Sequence, residues 1–334
     1  MDRDLQLRSF EIRASESAHV VARFDSASLA NPFRQRATYF VESATPSAAN
    51  LSLGRGRTAL VSVEFTVPTA DALPAHIQHV VRFAPDSLIA MRRDDGTVSP
   101  DLVAISEPIA SAHSRIVIGA PVKGGPWRCG NGLAYNNSHS SLYPFRTAVM
   151  HVPQRFGCDF SKVDSAGNTL PNPFPDTISN NIFYGYGAPV VAVADGAIAH
   201  VTDGIPENIP QANGSIRMAV PLTNETVSGN WISLRIADSI YAFYAHLQPG
   251  SIRVREGQRV HRGQVIALLG NAGNAVGPHL HFHVGNRNSL NGGDAVPHVY
   301  RSFELLGTVA PATAGVPQRR MNQLLADGAV ARFP

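Results

Sequence analysis

Thirteen histidines lie in this 334-residue chain. Three of them occupy every second position of one short apolar run, Gly277-Pro278-His279-Leu280-His281-Phe282-His283-Val284. A β-strand turns successive side chains to opposite faces, so His279, His281 and His283 share one face and Leu280, Phe282 and Val284 the other. Imidazole is the commonest metal ligand in proteins, and this spacing brings several together at no cost in fold. A catalytic zinc site needs three protein ligands and one open position for water. His281 is the strongest candidate ligand of the row. Asp159 is the second, because it lies in the apolar stretch Gln154-Arg155-Phe156-Gly157-Cys158-Asp159-Phe160, where an unpaired carboxylate is costly to bury. Taken alone, Asp159 reads more plainly as a turn or salt-bridge residue paired with Arg155. His246 ends the run Tyr244-Ala245-His246-Leu247 just before the turn Gln248-Pro249-Gly250. From there a side chain can reach a cleft, orient a water or stabilise an oxyanion.

The elements that would position these groups read as mainly β. In the first third, Val61 to Val67 alternates and ends at Pro68, and Phe10 with Ile12, Val20 to Phe24, Val80 to Phe83 and Ile116 to Ile118 look like further strands. Turn segments Gly54-Arg55-Gly56 and Asp94-Asp95-Gly96 lie between them. This pattern fits an immunoglobulin-like β-sandwich over residues 1–120 with a supporting or regulatory role. Ala120 to Pro126 reads as a linker, and residues 121–334 as a second domain. A long irregular segment, Trp127 to Gln154, follows the linker, and a loop of that length is usually functional or disordered. Val190 to Ala194 and Ala197 to Val201 flank Asp195-Gly196 as a tight hairpin would. Ile232, Leu234 and Ile236 alternate, and Tyr241 to His246, Val254, Val260 and Val265 to Leu269 read as further strands. Helical spacing occurs once, with Met321, Leu324 and Leu325 in Pro317 to Ala326.

Composition narrows the partners. The formal charge is only +3, Lys123 and Lys162 are the sole lysines, and no basic run interleaves with aromatics. Nucleic-acid binding is therefore not indicated, whereas an anionic polymer is compatible. The segment Met1-Asp2-Arg3-Asp4-Leu5 does not read as a signal peptide, and no apolar run is long enough to span a membrane. Cys129 and Cys158 can pair in an exported protein, but Cys158 reads more readily as a small core residue.

Taken in order, Asp159, Tyr244-Ala245-His246-Leu247, Val260-x-x-Gly263-Gln264-x-Ile266, Gly270-Asn271-x-Gly273-Asn274 and Gly277-Pro278-His279-Leu280-His281-Phe282 resemble the lysostaphin-type zinc metallopeptidases, over roughly Trp127 to Ser302. The resemblance implies an antiparallel β-sheet with a narrow groove, with residues beyond about 303 as an extension. It also implies one zinc per chain, held by a histidine, Asp159 and His281, with His279 and His246 as assisting histidines. The implied substrate is a peptide or peptidoglycan, and the implied location is extracytoplasmic. One departure stands out, since Arg155 occupies the place of the family's usual first histidine. His139, in Asn136-Asn137-Ser138-His139-Ser140, or His151 can replace it. His139 is preferred because some relatives carry a distant Ser/Gly-His and a Gln-Arg-Phe-x-x-Asp segment. His283 stands where the family often has glutamate and is expected behind the ligands rather than among them. The competing expectation is a catalytically silent module that grips cell wall or a partner protein. A biotinyl or lipoyl carrier is disfavoured because Val254 to Leu269 has no lysine.

Overall fold

A computed structural model describes residues 5–17, 19–27, 37–41, 52–53, 59–63, 73–85, 91–92, 98–99, 101–110, 116–133, 137–139, 151–173, 178–211, 214–308 and 316–334. The described elements are nearly all strands. The chain divides into two compact units, Met1–His113 and Ser114–Pro334.

In the first unit, Leu5–Ala14 is the centre of a six-stranded sheet, flanked by Val20–Asp25 and His76–Pro85. Leu7, Phe10, Ile12 and Phe24 form its buried cluster. Ala37–Val41 pairs with Ala59–Val63, and Met91–Arg92 with Val98–Ser99, as separate two-stranded ribbons. Among the described residues this is one sheet with two small ribbons, and the immunoglobulin-like sandwich stays an expectation. Residues 54–56, 64–67 and 94–96 lie outside the described residues. Ile116–Ile118, read with the first-domain strands, pairs in parallel with His298–Thr308 in the second unit.

The second unit is built on an eleven-stranded sheet, antiparallel apart from that Ile116–Ile118 edge. Its central order is Gly124–Gly130, Cys158–Lys162, Leu280–Gly285, Ile240–Leu247, Asn230–Ala237 and Gly196–Thr202. The alternation that defines the histidine row also builds the core. Leu280, Phe282 and Val284 are completely buried with Phe160, Tyr244 and Leu234, and each such side chain contributes roughly 2 kcal/mol of transfer free energy. Cys129 and Cys158 form a disulfide between adjacent strands. Both are buried, but the disulfide corrects the preferred reading of Cys158 as an unpaired core residue.

Two local expectations are corrected. The runs flanking Asp195-Gly196 do not pair with each other. Pro189–Val191 pairs with Val265–Leu268, while Gly196–Thr202 pairs with Asn230–Ala237 and Arg259–Val260. Asp195 Oδ1 accepts from the Arg262 amide at 2.7 Å, so the bend is tied to a different segment. The expected helix over Pro317 to Ala326 is a strand, Gln318–Gln323, on the edge of His298–Thr308. Met321 is 56% exposed, and without its burial the apolar stripe that a helix needs is absent. Of the residues read as an extension, the described strands Gln318–Gln323 and Ala329–Phe333 join the same sheet beside His298–Thr308.

Candidate metal centre

Strand register brings the first two candidate ligands together. Asp159 is directly opposite His281 in the pairing of Cys158–Lys162 with Leu280–Gly285. On its other side His281 is opposite Ala245, one residue before His246. His139 reaches in from outside the sheet. His281 Nδ1 is 2.9 Å from Asp159 Oδ1 and 3.1 Å from His139 Nε2, and His139 Nε2 is 3.3 Å from Asp159 Oδ1. His139 and His281 are buried. Gly157 makes room for the His139 ring, since a Cβ there would come within 3.1 Å of its Nδ1.

The donor set suits a cation. Two imidazole nitrogens and a carboxylate oxygen converge on one point, and a tetrahedral ion with bonds of about 2.0–2.2 Å separates its ligands by roughly 3.4 Å. The three observed separations lie just below that value. Burial opposes ionisation of Asp159, but the charge of His279 and hydrogen bonds from His139 and His281 outweigh it and hold the carboxyl well below its ordinary range. Asn131, a residue the sequence did not single out, donates from Nδ2 to Asp159 Oδ2 at 2.8 Å. It does so from a left-handed turn at φ 50°, in which asparagine is more comfortable than most residues.

His246 and His279 stand beside this trio, their ring centroids 4.8 Å apart. His246 Nδ1 is 2.8 Å from the Ala272 carbonyl, and His279 Nδ1 is 2.8 Å from the Gly277 carbonyl. A carbonyl can only accept, so each Nδ1 carries a hydrogen and each Nε2 is turned away from these carbonyls. His279 Nε2 is 3.8 Å from Asp159 Oδ1. Burial, then the neighbouring His279 and His281, push His246 well below its ordinary imidazole range and keep it neutral. Its backbone is left-handed at φ 63°, uncommon for a non-glycine residue. Hydrogen bonds to Ser228 and Gly270 hold it there. Backbone strain of this kind concentrates at functional sites.

All five groups line one cleft of about 360 Å³, together with Asn131, Asn274, Asn291, Gln154 and Val276. Gln154 Nε2 donates to Asn291 Oδ1 at 3.2 Å. His151, the other candidate replacement ligand, is instead 3.2 Å from Asp294 Oδ2. Arg155 lies over the ring of Phe156. His283 is buried behind His281.

Residues 179–292, within the second unit, match the model of peptidase family M23. The matched segment contains His246, His279 and His281 and begins downstream of His139 and Asp159. Over 122 residues the sequence is 29% identical to the peptidoglycan DD-endopeptidase ShyA of Vibrio cholerae, covering 36% of this chain and 25% of ShyA. Over 103 residues it is 34% identical to an uncharacterized metalloprotease of Haemophilus influenzae, covering 30% of this chain and 17% of that protein. The match therefore spans a quarter or less of these relatives' own length. Among solved structures, the catalytic domain of the prophage-encoded M23 protein EnpA from Enterococcus faecalis aligns at a TM-score of 0.30 and 19% identity. That alignment covers 53% of this chain and 92% of EnpA's domain, a likeness too slight to carry an argument.

Proposed function

We propose that the second unit is a zinc-dependent endopeptidase acting on peptide bonds of peptidoglycan, with His139, Asp159 and His281 as metal ligands and His246 and His279 as assisting groups. The observation that carries this reading is the convergence of His139 Nε2, Asp159 Oδ1 and His281 Nδ1 within 3.3 Å of one another. A zinc ion bound there would supply Lewis acidity, which polarises a peptide carbonyl and lowers the pKa of water towards ~7. Asp159 stays ionised and supplies the negative charge of the ligand set. Neutral His246 offers Nε2 as the acceptor for a proton leaving the attacking water, and its Nδ1–H is anchored on Ala272. His279 offers its Nε2 from the neighbouring wall, and once protonated it can donate to oxygen charge that develops in the transition state. The carboxamides of Asn274 and Asn291 suit hydrogen bonding to an extended peptide backbone.

The competing reading, a silent module, would rest on Arg155 standing where the usual first histidine is; the 3.3 Å separation of His139 from Asp159 supports the enzyme reading instead, with His139 standing in for that histidine. A peptidoglycan substrate implies an extracytoplasmic protein, and the Cys129–Cys158 disulfide fits an oxidising compartment. The test has two parts. Elemental analysis of protein purified without added metal should give about one zinc per chain, and purified cross-linked muropeptides should be cut, read by mass spectrometry. Protein that neither contains nor takes up zinc defeats the enzyme reading. Protein that is loaded with zinc yet leaves every peptidoglycan fragment intact defeats the substrate assignment.

A further inference from the structure

A buried asparagine outside the cleft grips a loop on which the cleft depends. Asn208 is 1% exposed, and its donors go to alternate carbonyls of one short segment. Its backbone amide donates to the Asn271 carbonyl at 3.0 Å. Its Nδ2 donates to the Gly273 carbonyl at 2.6 Å and to the Ala275 carbonyl at 3.1 Å. The carbonyl passed over between Asn271 and Gly273 is that of Ala272, which accepts from His246 Nδ1 at 2.8 Å. Neighbouring residues extend the grip. Glu207 Oε1 accepts from the Asn271 amide at 2.8 Å. Asn180 Oδ1 accepts from Asn271 Nδ2 at 2.9 Å, and Asn180 Nδ2 donates to the Asn208 carbonyl at 3.0 Å. A second segment holds the same loop, with the Asn274 amide donating to the Val227 carbonyl at 2.8 Å.

The carboxamide of Asn208 has no freedom left. Its two Nδ2 hydrogens serve two carbonyls, and its Oδ1 accepts from the Ala219 amide at 3.0 Å. Gly273 and Ala275 are themselves buried, so turning the carboxamide would strand polar groups away from water. With the carbonyls of Asn271, Gly273 and Ala275 fixed, the Ala272 carbonyl between them is fixed as well. Asn208 is not among the residues that line the cleft. We infer that Asn208 is a positioning residue: it holds the loop from Asn271 to Ala275 so that the Ala272 carbonyl sets the orientation of His246 in the cleft. An asparagine that only stabilised the loop would, when lost, lower stability without a selective loss of turnover. The inference rests on the peptidase reading above and adds to it a residue that acts through His246 alone.

Three substitutions in the full zinc-loaded chain separate positioning from stability. Asn208→Ala removes both Nδ2 donors. Its kcat on a cross-linked muropeptide should fall roughly 10–100-fold, as for a catalytic group displaced rather than removed, with KM within about twofold of the unmodified protein. Zinc content should not change, because the loop carries none of the three ligands. Asn180→Ala leaves the Asn208 carboxamide in place and should lower kcat in the same direction by less. Tyr244→Phe is the control. Tyr244 is completely buried, and its hydroxyl accepts from the Val193 amide at 2.9 Å, so its loss should lower the urea midpoint while kcat stays within about twofold. In the unmodified protein, ¹⁵N NMR should find the two Nδ2 hydrogens of Asn208 exchanging slowly with solvent, a readout that needs neither turnover nor a variant. Unchanged kcat in folded, zinc-loaded Asn208→Ala overturns the inference. So does an equal loss of kcat in Tyr244→Phe, or rapid exchange at Asn208 Nδ2. Should Asn208→Ala fail to fold, unchanged kcat in Asn180→Ala overturns it instead. Each of those outcomes leaves the peptidase reading standing. Unmodified protein that is loaded with zinc yet cuts no peptide overturns that reading and the inference with it.

Discussion

At the scale of single residues, His279 and His281 sit two positions apart yet have different surroundings. His281 Nδ1 joins the trio with Asp159 and His139, whereas His279 turns its Nδ1 to a backbone carbonyl and stays 3.8 Å from the carboxylate. His281→Ala should therefore lose zinc. His279→Ala should keep it while turnover falls by 10²–10⁴, about 3–5 kcal/mol in the barrier. Zinc content of the two purified variants and their rates on one muropeptide check this, and full zinc in both would sink the assignment of His281. The row was legible in the sequence because period-two alternation is a property of consecutive residues. Asp159 was legible as a lone acid in an apolar stretch. Asn131 was not, because its bond to Asp159 spans 28 residues and depends on a left-handed turn. The left-handed backbone of His246 left no local trace either, since it is fixed by hydrogen bonds to Ser228 and Gly270.

At the scale of elements, strands whose partners are far apart in the chain were found, but their partners were not. Val190 and Ile198 both read as strand residues and both are strand residues, yet they pair with Ala267 and Leu234 rather than across Asp195-Gly196. Local pattern fixes a strand's faces, while tertiary packing selects its neighbours. The same limit hid a close backbone approach near the cleft. Gly229 has φ 59°, and a Cβ there would meet the carbonyl of Ala272 at 2.5 Å. That carbonyl is the one that anchors His246 Nδ1. Gly229→Ala should cost well over 2 kcal/mol, combining a left-handed penalty of about 1–2 kcal/mol with a backbone clash. It should also lower turnover by displacing the anchor. Gly187→Ala is the control, with φ 70° but nothing within 4 Å of the added methyl, and it should carry the conformational penalty alone. Denaturant midpoints of the two variants decide the point, and equal losses would remove the clash from the explanation.

At the scale of the whole molecule, acid should weaken the fold through a buried histidine that the sequence did not single out. His298 is 2% exposed between Phe282 and Tyr300, and burial lowers its pKa to about 4. Above its unfolded value of ~6.5 both states are neutral and it costs nothing. As the pH falls from there towards 4, the unfolded chain takes a proton that the folded chain refuses. Stability is lost by up to about 3 kcal/mol from this residue. Asp159 acts in the same direction at lower pH, since its depressed carboxyl stabilises the fold only while ionised. Urea unfolding at pH 7 and pH 4.5 should show the loss, and His298→Phe should flatten it. An equal slope in that variant would assign the acid sensitivity elsewhere.

The pairing of Gly124–Gly130 with Ala329–Phe333 also has a consequence in time. The Gly124–Gly130 strand supports the Asp159 strand on one side and waits for its own outer neighbour until some two hundred residues later have been made. On the ribosome, His139, Asp159 and His281 would all emerge before the sheet that aligns them can close. Contacts this distant in sequence form slowly. Chains halted at residue 323 should therefore bind zinc far more weakly than the full chain. Equal affinity in the halted chains would show that the Ala329–Phe333 strand is dispensable for aligning the ligands. On the proposed reading, a peptidase that depends on so late a strand would be withheld from the nascent chain, a form of safekeeping during synthesis that requires no inhibitor.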